Sequence, residues 1–252
     1  MRNIRLTIEF DGTNYAGWQI QPNRPTIQGE LQSALKKLFG RDITLYGCGR
    51  TDAGVSARNY TANFLTDSKL PVEKIPLALN SYLPEEIVVK KAEVAPLDFH
   101  SRYQAKSKTY IYYIIIGRSP LRCHHAWELH QPLDINRLKT AANLFLGKKD
   151  FNHFCQTREG NGICQITSIR VKKSGDEIKI AITGDRFLYK MVRRIVGAMV
   201  AYASTRLTKM DIHAALAGKK HRPFQTAPAP GLILESVRYN RRSYIRNSEA
   251  ER

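Results

Sequence analysis

The sequence contains one order of secondary-structure signals twice: strand, helix, two strands, helix, strand. In the first occurrence, alternating apolar residues from Ile4 to Phe10 predict a half-buried strand, and Ile27 to Leu38 have helical spacing. In the second, the β-branched and aromatic run 109–116 predicts a strand, and the apolar stripe 191–200 predicts an amphipathic helix. No long linker separates the two occurrences, so we expect two halves that share a continuous core.

The remaining signals complete both halves. They place strands at 44–46, 60–64, 86–94, 166–172, 177–183 and 232–239, and helices at 72–79, 138–145 and 210–216. This order predicts an α+β fold of two ferredoxin-like halves joined into a mixed, mostly antiparallel sheet, with helices packed on it and a central active-site cleft. We assign 1–102 to the N-terminal half, 103–239 to a basic C-terminal half and 240–252 to a flexible basic tail.

The net charge of +18 is concentrated in the second half of the chain. Residues 1–100 contain 12 Lys and Arg against 11 Asp and Glu, whereas residues 101–252 contain 28 against 11. Tyrosines are interleaved with these cations, as surfaces that stack nucleobases require, so we expect a bound nucleic acid. A membrane surface or simple solubility would not explain the tyrosines. The run Lys219, Lys220 and Arg222 either contacts phosphate or is a solvated face.

The histidines and cysteines predict no metal site and no cofactor. The four cysteines form no CxxC pair, and His153, Cys155 and Cys164 fit no usual zinc spacing. No signal region precedes the first strand, and no apolar run approaches the ~20 residues of a membrane span. We therefore expect a cytoplasmic protein with reduced thiols and no membrane partner.

The segment Gly47–Val55, GCGRTDAGV, is the strongest candidate for chemistry. Its three glycines indicate tight turns between two predicted strands, and these turns would hold the carboxylate of Asp52 at a rim beside Arg50. Asp and Gly are also common turn formers, so the segment alone favours a plain turn. Tyr110, Arg193 and Leu232 are weaker candidates, because each also fits an ordinary strand or helix position.

Eight ordered segments resemble the tRNA pseudouridine synthase A family. They are Phe10–Thr13, Gly17–Gln19 with Gln21–Pro22, Gly49–Val55, Leu79–Asn80 with Leu83–Pro84, Phe99–Arg102, Lys108–Tyr110, Met191–Gly197 and Ala227–Ala229. The resemblance extends from about residue 4 to residue 239. It implies isomerisation of uridine to pseudouridine at positions 38, 39 and 40, in the anticodon arm of tRNA, by a symmetric homodimer.

The resemblance also implies a role for each candidate residue. Asp52 matches the catalytic aspartate, and Arg50 the arginine that helps to flip the target base. Tyr110 matches the tyrosine that stacks on the uracil, Arg193 the arginine that pairs with the catalytic carboxylate, and Leu232 the apolar residue under the base. The carboxylate either attacks C1′ or removes the C2′ proton to give a glycal, and neither route needs a metal.

Three residues near Asp52 depart from the family pattern. Ser56 replaces a common histidine, and Tyr60 and Asn63 replace the usual glutamine and histidine. These changes remove no catalytic residue but leave the set of target uridines open, so one alternative is a pseudouridine synthase with a shifted set of targets. A separate alternative is a non-catalytic RNA-binding protein on the same fold.

Overall fold

Ten β-strands and five α-helices are present in the computed structural model, which describes residues 1–157 and 160–240. The strands are β1 Arg2–Phe10, β2 Tyr46–Gly47, β3 Ser56–Thr66, β4 Ile87–Ala95, β5 Ser107–Ile116, β6 Trp127–Leu129, β7 Gly147–Asp150, β8 Ile163–Ser174, β9 Glu177–Gly184 and β10 Leu232–Arg238. The helices are α1 Ile27–Phe39, α2 Ile75–Asn80, α3 Ile135–Leu144, α4 Met191–Ala203 and α5 Lys209–Leu216. The predicted α+β class is confirmed.

The chain divides into two compact units. The first contains Met1–Lys106 and the chain from Leu234 onward, and the second contains Ser107–Ile233. Strand β10 therefore begins in the second unit and continues in the first. The assignment of 1–102 and 103–239 to separate functional halves stays a prediction, and of the predicted tail 240–252, all but Asn240 lies outside the described residues.

In the first unit, β1 lies between β4 and β3 and pairs antiparallel with both. Strand β3 pairs on its other side with β10, and the short β2 also pairs with β3. The alternation predicted for β1 holds from Leu6 to Phe10 but is wrong for the first half of the strand, where Arg5 is also buried, with 5% of its surface exposed, and pairs with Glu93. This arrangement holds both ends of the Gly47–Val55 segment on β3.

Helix α1 begins and ends where its sequence predicts. The Thr26 hydroxyl accepts a hydrogen bond from the Gly29 amide at 3.3 Å, which caps the first turn. Gly40 ends the helix in the left-handed conformation, with φ of 70°. The helix buries Ile27, Leu31 and Leu35.

The predicted strand at 44–46 is wrong for Thr44 and Leu45, because β2 begins only at Tyr46. Two side chains of α1 hydrogen bond to this part of the chain: the Gln32 amide donates to the Ile43 carbonyl and the Gln28 amide to the Leu45 carbonyl, each at 3.1 Å. The segment therefore pairs with a helix surface, not with a strand, although its apolar side chains are buried as in a strand.

The second unit contains the strand order β5, β9, β8, β7 with antiparallel pairing. The three-residue β6 pairs parallel with β5 and was not predicted. Helix α3 is capped by Asp134, whose carboxylate accepts from the amides of Asn136 and Arg137. Helix α4 is the most buried of the five, with ten buried residues.

Candidate active site

The segment Gly47–Val55, called here the catalytic loop, connects β2 to β3 in the first unit. Its first residues lie alongside β3, since the Cys48 amide donates to the Thr61 carbonyl at 2.9 Å. Its last turn is closed by a hydrogen bond from the Val55 amide to the Asp52 carbonyl at 3.2 Å. The loop is thus fixed at both ends, and the backbone of Asp52 belongs to the closing turn.

The connection between β1 and α1 supports the middle of the catalytic loop. The Trp18 amide donates to the Thr51 carbonyl at 3.2 Å, and the Gly54 amide donates to the Tyr15 carbonyl at 3.3 Å. Gly17 has φ of 95°, and a Cβ there would lie 2.4 Å from the Thr51 carbonyl oxygen. Only glycine allows this approach, which explains why a glycine precedes Trp18.

A second close approach lies at the end of the loop. A Cβ on Gly12 would lie 2.1 Å from the Val55 carbonyl oxygen. The Gly12 amide donates to the Ser56 hydroxyl at 3.0 Å, and that hydroxyl donates to the Asp11 carboxylate at 3.2 Å. The segments Asp11–Gly12 and Val55–Ser56 therefore form one packed unit, which joins the turn after β1 to the start of β3.

Three aromatic rings pack beneath the loop. Tyr60 stacks on Trp18 with ring centroids 4.0 Å apart, and the Phe10 centroid lies 5.6 Å from that of Tyr60. The Tyr60 hydroxyl donates to the Gly49 carbonyl and accepts from the Gly49 amide. A Cβ on Gly47 would lie 2.2 Å from this hydroxyl oxygen. The three rings thus fix the position of the loop relative to β3.

The loop presents its two candidate side chains differently. Asp52 is half-buried, whereas Arg50 is exposed. The hydrogen bonds of the loop hold the Asp52 backbone in place, which limits the positions open to its carboxylate. The side chain of Arg50, two residues earlier, is accessible to a bound molecule.

In the second unit, Tyr110 lies within β5, opposite Ile182 of β9. It is buried, with 9% of its surface exposed, and the ring of Phe187 meets it edge to face at 5.2 Å. The sequence analysis did not identify Phe187 as a functional residue. Its contact gives the Tyr110 ring a fixed orientation, as a stacking partner for a base requires.

Arg193 and Leu232 are both attached to the turn at 227–231. The Arg193 Nε donates to the Ala227 carbonyl at 2.7 Å, and the Ala227 amide donates to the Arg193 carbonyl at 3.1 Å. The Leu232 amide donates to the Ala229 carbonyl at 2.9 Å. The structure therefore brings these two predicted site residues to one turn, although they are distant in sequence.

Tyr112 anchors the same turn from β5. Its hydroxyl donates to the Pro228 carbonyl at 2.7 Å, and the Tyr113 amide donates to the Gly231 carbonyl at 2.8 Å. Burial raises the pKa of Tyr112, an effect that the Arg193 charge opposes only in part, so the hydroxyl stays protonated and remains a donor. Tyr112 was not among the candidate residues that the sequence predicts.

Within residues 1–157 and 160–240, no three His, Cys, Asp or Glu side chains are grouped so that they could hold a metal ion. No helix in this part of the chain combines the length and the hydrophobicity needed to cross a bilayer.

The family profile described as tRNA pseudouridine synthase matches residues 6–104 and 141–240. The chain belongs to this family. The family isomerises uridine to pseudouridine in tRNA, so the predicted family and the predicted isomerase class are confirmed. The matched ranges include every candidate residue in both units except Tyr110, which lies between them.

Curated relatives of this pseudouridine synthase cover almost its entire length. A tRNA pseudouridine synthase A from Caldicellulosiruptor bescii is 43% identical over 95% of this chain and all of its own length. A protein of the same name from Moorella thermoacetica is 44% identical over 94% of this chain and 99% of its own. One solved Cbf5–Nop10–Gar1 complex matches 91% of this chain and 57% of its own with 12% identity and a TM-score of 0.38.

The three departures from the family pattern are all buried in the synthase. Ser56 lies behind the loop, Tyr60 lies beneath it, and Asn63 is 2% exposed on β3. The Asn63 side chain donates to Asn3 Oδ1 at 3.0 Å and accepts from the Ser101 amide at 2.9 Å. These residues therefore support the catalytic loop and its neighbouring segments from inside the first unit.

Proposed function

We propose that this synthase converts uridines 38, 39 and 40 in the anticodon arm of tRNA to pseudouridine, with Asp52 as its nucleophile. The observation that carries the proposal is the catalytic loop itself. Backbone from β3 and from the connection between β1 and α1 holds the loop, and its only carboxylate is the half-buried side chain of Asp52. A firmly positioned carboxylate suits a reaction at a sugar carbon.

The reaction exchanges one glycosidic bond for another. In the first route, a carboxylate oxygen of Asp52 attacks C1′, and N1 leaves with the bonding electrons; the uracil turns, and C5 then displaces the carboxylate. In the second route, the carboxylate removes the C2′ proton as the N1–C1′ bond breaks, and the proton returns to C2′ after C5 has added to C1′. In both routes, C5 loses its proton and N1 gains one.

Each remaining candidate receives the role that its environment supports. Arg50 is exposed, which suits a side chain that enters an RNA stem and replaces a flipped base at a cost of a few kcal/mol. Tyr110 is held edge-on by Phe187 and offers a ring for stacking on the detached uracil. Leu232 is 5% exposed and supplies apolar contact beneath the base.

Arg193 is the proposed arginine partner of the catalytic carboxylate. Its guanidinium is only half-buried and donates one hydrogen bond from Nε to the Ala227 carbonyl. This bond orients the guanidinium, and a guanidinium suits a carboxylate partner because its planar set of N–H donors matches the two carboxylate oxygens.

Three residues depart from the family pattern, and their burial supports the family's usual target uridines. Ser56, Tyr60 and Asn63 contact the chain itself, so substitutions at these positions act on loop geometry. A shifted target set would require changes on the surface that contacts RNA. We also propose a cytoplasmic homodimer in which one tRNA reaches across both subunits, as the resemblance implies.

Mapping of the modified positions tests the proposed target. Unmodified tRNA transcripts with uridines at 38, 39 and 40 are incubated with the synthase, and pseudouridine is mapped by carbodiimide labelling. We expect label in the anticodon arm, and none when these uridines are replaced by cytidine. Label confined to another part of the tRNA would contradict the proposed target but leave the isomerase activity intact.

A further inference from the structure

A row of three aromatic rings, tilted against one another by 45° and 43°, lies at the start of the catalytic loop, with its two tyrosines exposed. The rings of Tyr46 and His100 are 4.9 Å apart between centroids, and those of His100 and Tyr103 are 4.4 Å apart. The guanidinium of Arg102 lies 5.7 Å from the Tyr103 ring centroid. We call Tyr46, His100, Arg102 and Tyr103 the aromatic ladder; all four belong to the first unit.

The two tyrosines of the ladder are exposed to solvent. Tyr103 exposes 76% of its surface and Tyr46 exposes 40%. Neither ring contributes to the core, and an aromatic ring left in water gains nothing from burial. Rings that face solvent beside a cation are the arrangement found where proteins bind unpaired nucleotides.

The backbone beneath the ladder is rigid. Ser101 is fully buried, its hydroxyl donates to the Tyr46 carbonyl at 2.7 Å, and its amide donates to Asn63 Oδ1 at 2.9 Å. The Asn3 side chain donates to the Phe99 carbonyl at 2.8 Å, which holds the same segment from β1. The backbone that carries the exposed rings is therefore held in place, so the rings lose little conformational freedom when a ligand binds.

The ladder is continuous with the catalytic loop. Tyr46 immediately precedes Gly47, and β2 contains only these two residues. Burial, and then the charge of Arg102, lower the pKa of His100, so its ring is neutral at neutral pH and stacks as an aromatic ring. The cation of the ladder is Arg102, and the catalytic loop adds the exposed Arg50.

We propose that the aromatic ladder binds an unpaired nucleotide of the tRNA anticodon loop, with its base on the Tyr103 ring and its phosphate near Arg102. The proposal rests on the proposed function, since it assigns the ladder to the same substrate. An anticodon arm provides both a paired stem and a loop of unpaired bases. A base held here while Asp52 acts on a neighbouring uridine would fix the register of the RNA.

Substitution of Tyr103 tests the ladder directly, because so exposed a ring can be removed without loss of folding. We expect Tyr103→Ala to raise both KM and the Kd for tRNA about 10-fold, which corresponds to one lost base stack, with kcat at saturation unchanged. Tyr103→Phe keeps the ring and is expected to behave like the wild type. Tyr82→Ala removes another exposed tyrosine of the same unit and serves as the matched control.

An RNA series identifies the stacked base. Anticodon-arm RNAs are prepared with a single abasic residue at each loop position, and Kd is measured for the wild type and for Tyr103→Ala. We expect one abasic position to weaken binding to the wild type about 10-fold and to have no further effect on Tyr103→Ala.

Two results would overturn the ladder proposal. The first is an unchanged Kd for Tyr103→Ala, and the second is a fall in affinity that accompanies dissociation of an oligomer in sedimentation, which would assign the ladder to contact with a second copy of the chain. Pseudouridine mapped outside the anticodon arm would refute the proposed target but not the ladder. The effects of Tyr103→Ala and of the abasic residues on Kd can then be measured with RNA that contains the modified site.

Discussion

The hydroxyl of Tyr60 forms two hydrogen bonds to the peptide groups of Gly49, one to its carbonyl oxygen and one from its amide. Tyr60 lies on β3 and Gly49 in the catalytic loop, three residues before Asp52. One side chain thus connects the central sheet of the first unit to the loop that carries the proposed nucleophile. Since Tyr60 is one of the departures from the family pattern, this synthase supports its loop with a phenol.

Tyr60→Phe is predicted to lower stability and turnover together. The ring remains stacked on Trp18, but the half-buried Gly49 carbonyl loses its donor, which costs about 1 kcal/mol in free energy of unfolding. We expect kcat to fall several-fold with a smaller change in KM for tRNA, because the loop that carries Asp52 shifts while the exposed residues outside the loop stay in place. Urea denaturation and steady-state kinetics measure the two effects. An unchanged kcat would show that the hydroxyl does not position Asp52.

Gly17→Ala is predicted to impair catalysis more than binding. The new methyl group would lie 2.4 Å from the Thr51 carbonyl oxygen at a backbone φ of 95°, so the loop must move away from the connection between β1 and α1. Gly40→Ala is the matched control: its φ is also positive, at 70°, but no atom lies within 4 Å of the added carbon. The control is expected to lose about 1 kcal/mol of stability and no activity. Equal kcat values for the two variants would contradict this account.

Neutralising Lys219 and Lys220 is predicted to weaken tRNA binding and to reduce its dependence on salt. Each lost phosphate contact lowers the slope of log K against log salt by about 0.7–0.9. Lys172→Gln with Lys173→Gln removes the same charge from exposed positions on β8 and is the control. If both double variants change the slope equally, the effect is one of net charge, and Lys219 and Lys220 form only a solvated face.

Glu93→Gln is predicted to destabilise the first unit in a way that disappears in acid. Burial alone would raise the pKa of Glu93, but hydrogen bonds from Lys91 and Arg5, the latter at 2.7 Å, lower it below its usual value. A carboxylate with a lowered pKa stabilises the fold above its unfolded pKa of about 4.3, and the contribution is lost as the pH falls through the folded value. We expect a difference of about 1–2 kcal/mol at pH 7.

The measurement is the free energy of unfolding of the wild type and of Glu93→Gln between pH 7 and pH 3. The difference should decrease steadily below about pH 5. A difference that stays constant over this range would mean that Glu93 acts through packing and not through its charge.

The sequence predicted those parts of the fold that carry a regular pattern. Helix α1, Ile27–Phe39, matches the range of helical spacing to within one residue, and β1 alternates as expected from Leu6 to Phe10. Strands β6 and β7 were missed because they contain three and four residues, too few for a period to be visible. The prediction of a strand at Thr44 and Leu45 was wrong because side chains of α1 hydrogen bond to the backbone there.

The candidate site was predictable in its residue types but not in its supports. The glycines and the acid of Gly47–Val55 indicated a shaped loop, and the family resemblance proposed a role for Asp52. That Gly12, Gly17 and Trp18 hold the loop depends on contacts between segments more than thirty residues apart, which no local pattern shows. Tyr60 and Asn63 were noted as departures, but their burial beneath the site could be learned only from the structure.

Release of tritium from tRNA labelled at C5 of uridine is the most direct test of Asp52 as the nucleophile. The wild type is expected to release tritium as each pseudouridine forms. Asp52→Asn is expected to release none above background while it binds tRNA with unchanged affinity, and Asp42→Asn, an exposed aspartate of the same unit, should behave like the wild type. Tritium release by Asp52→Asn at the wild-type rate would contradict the account.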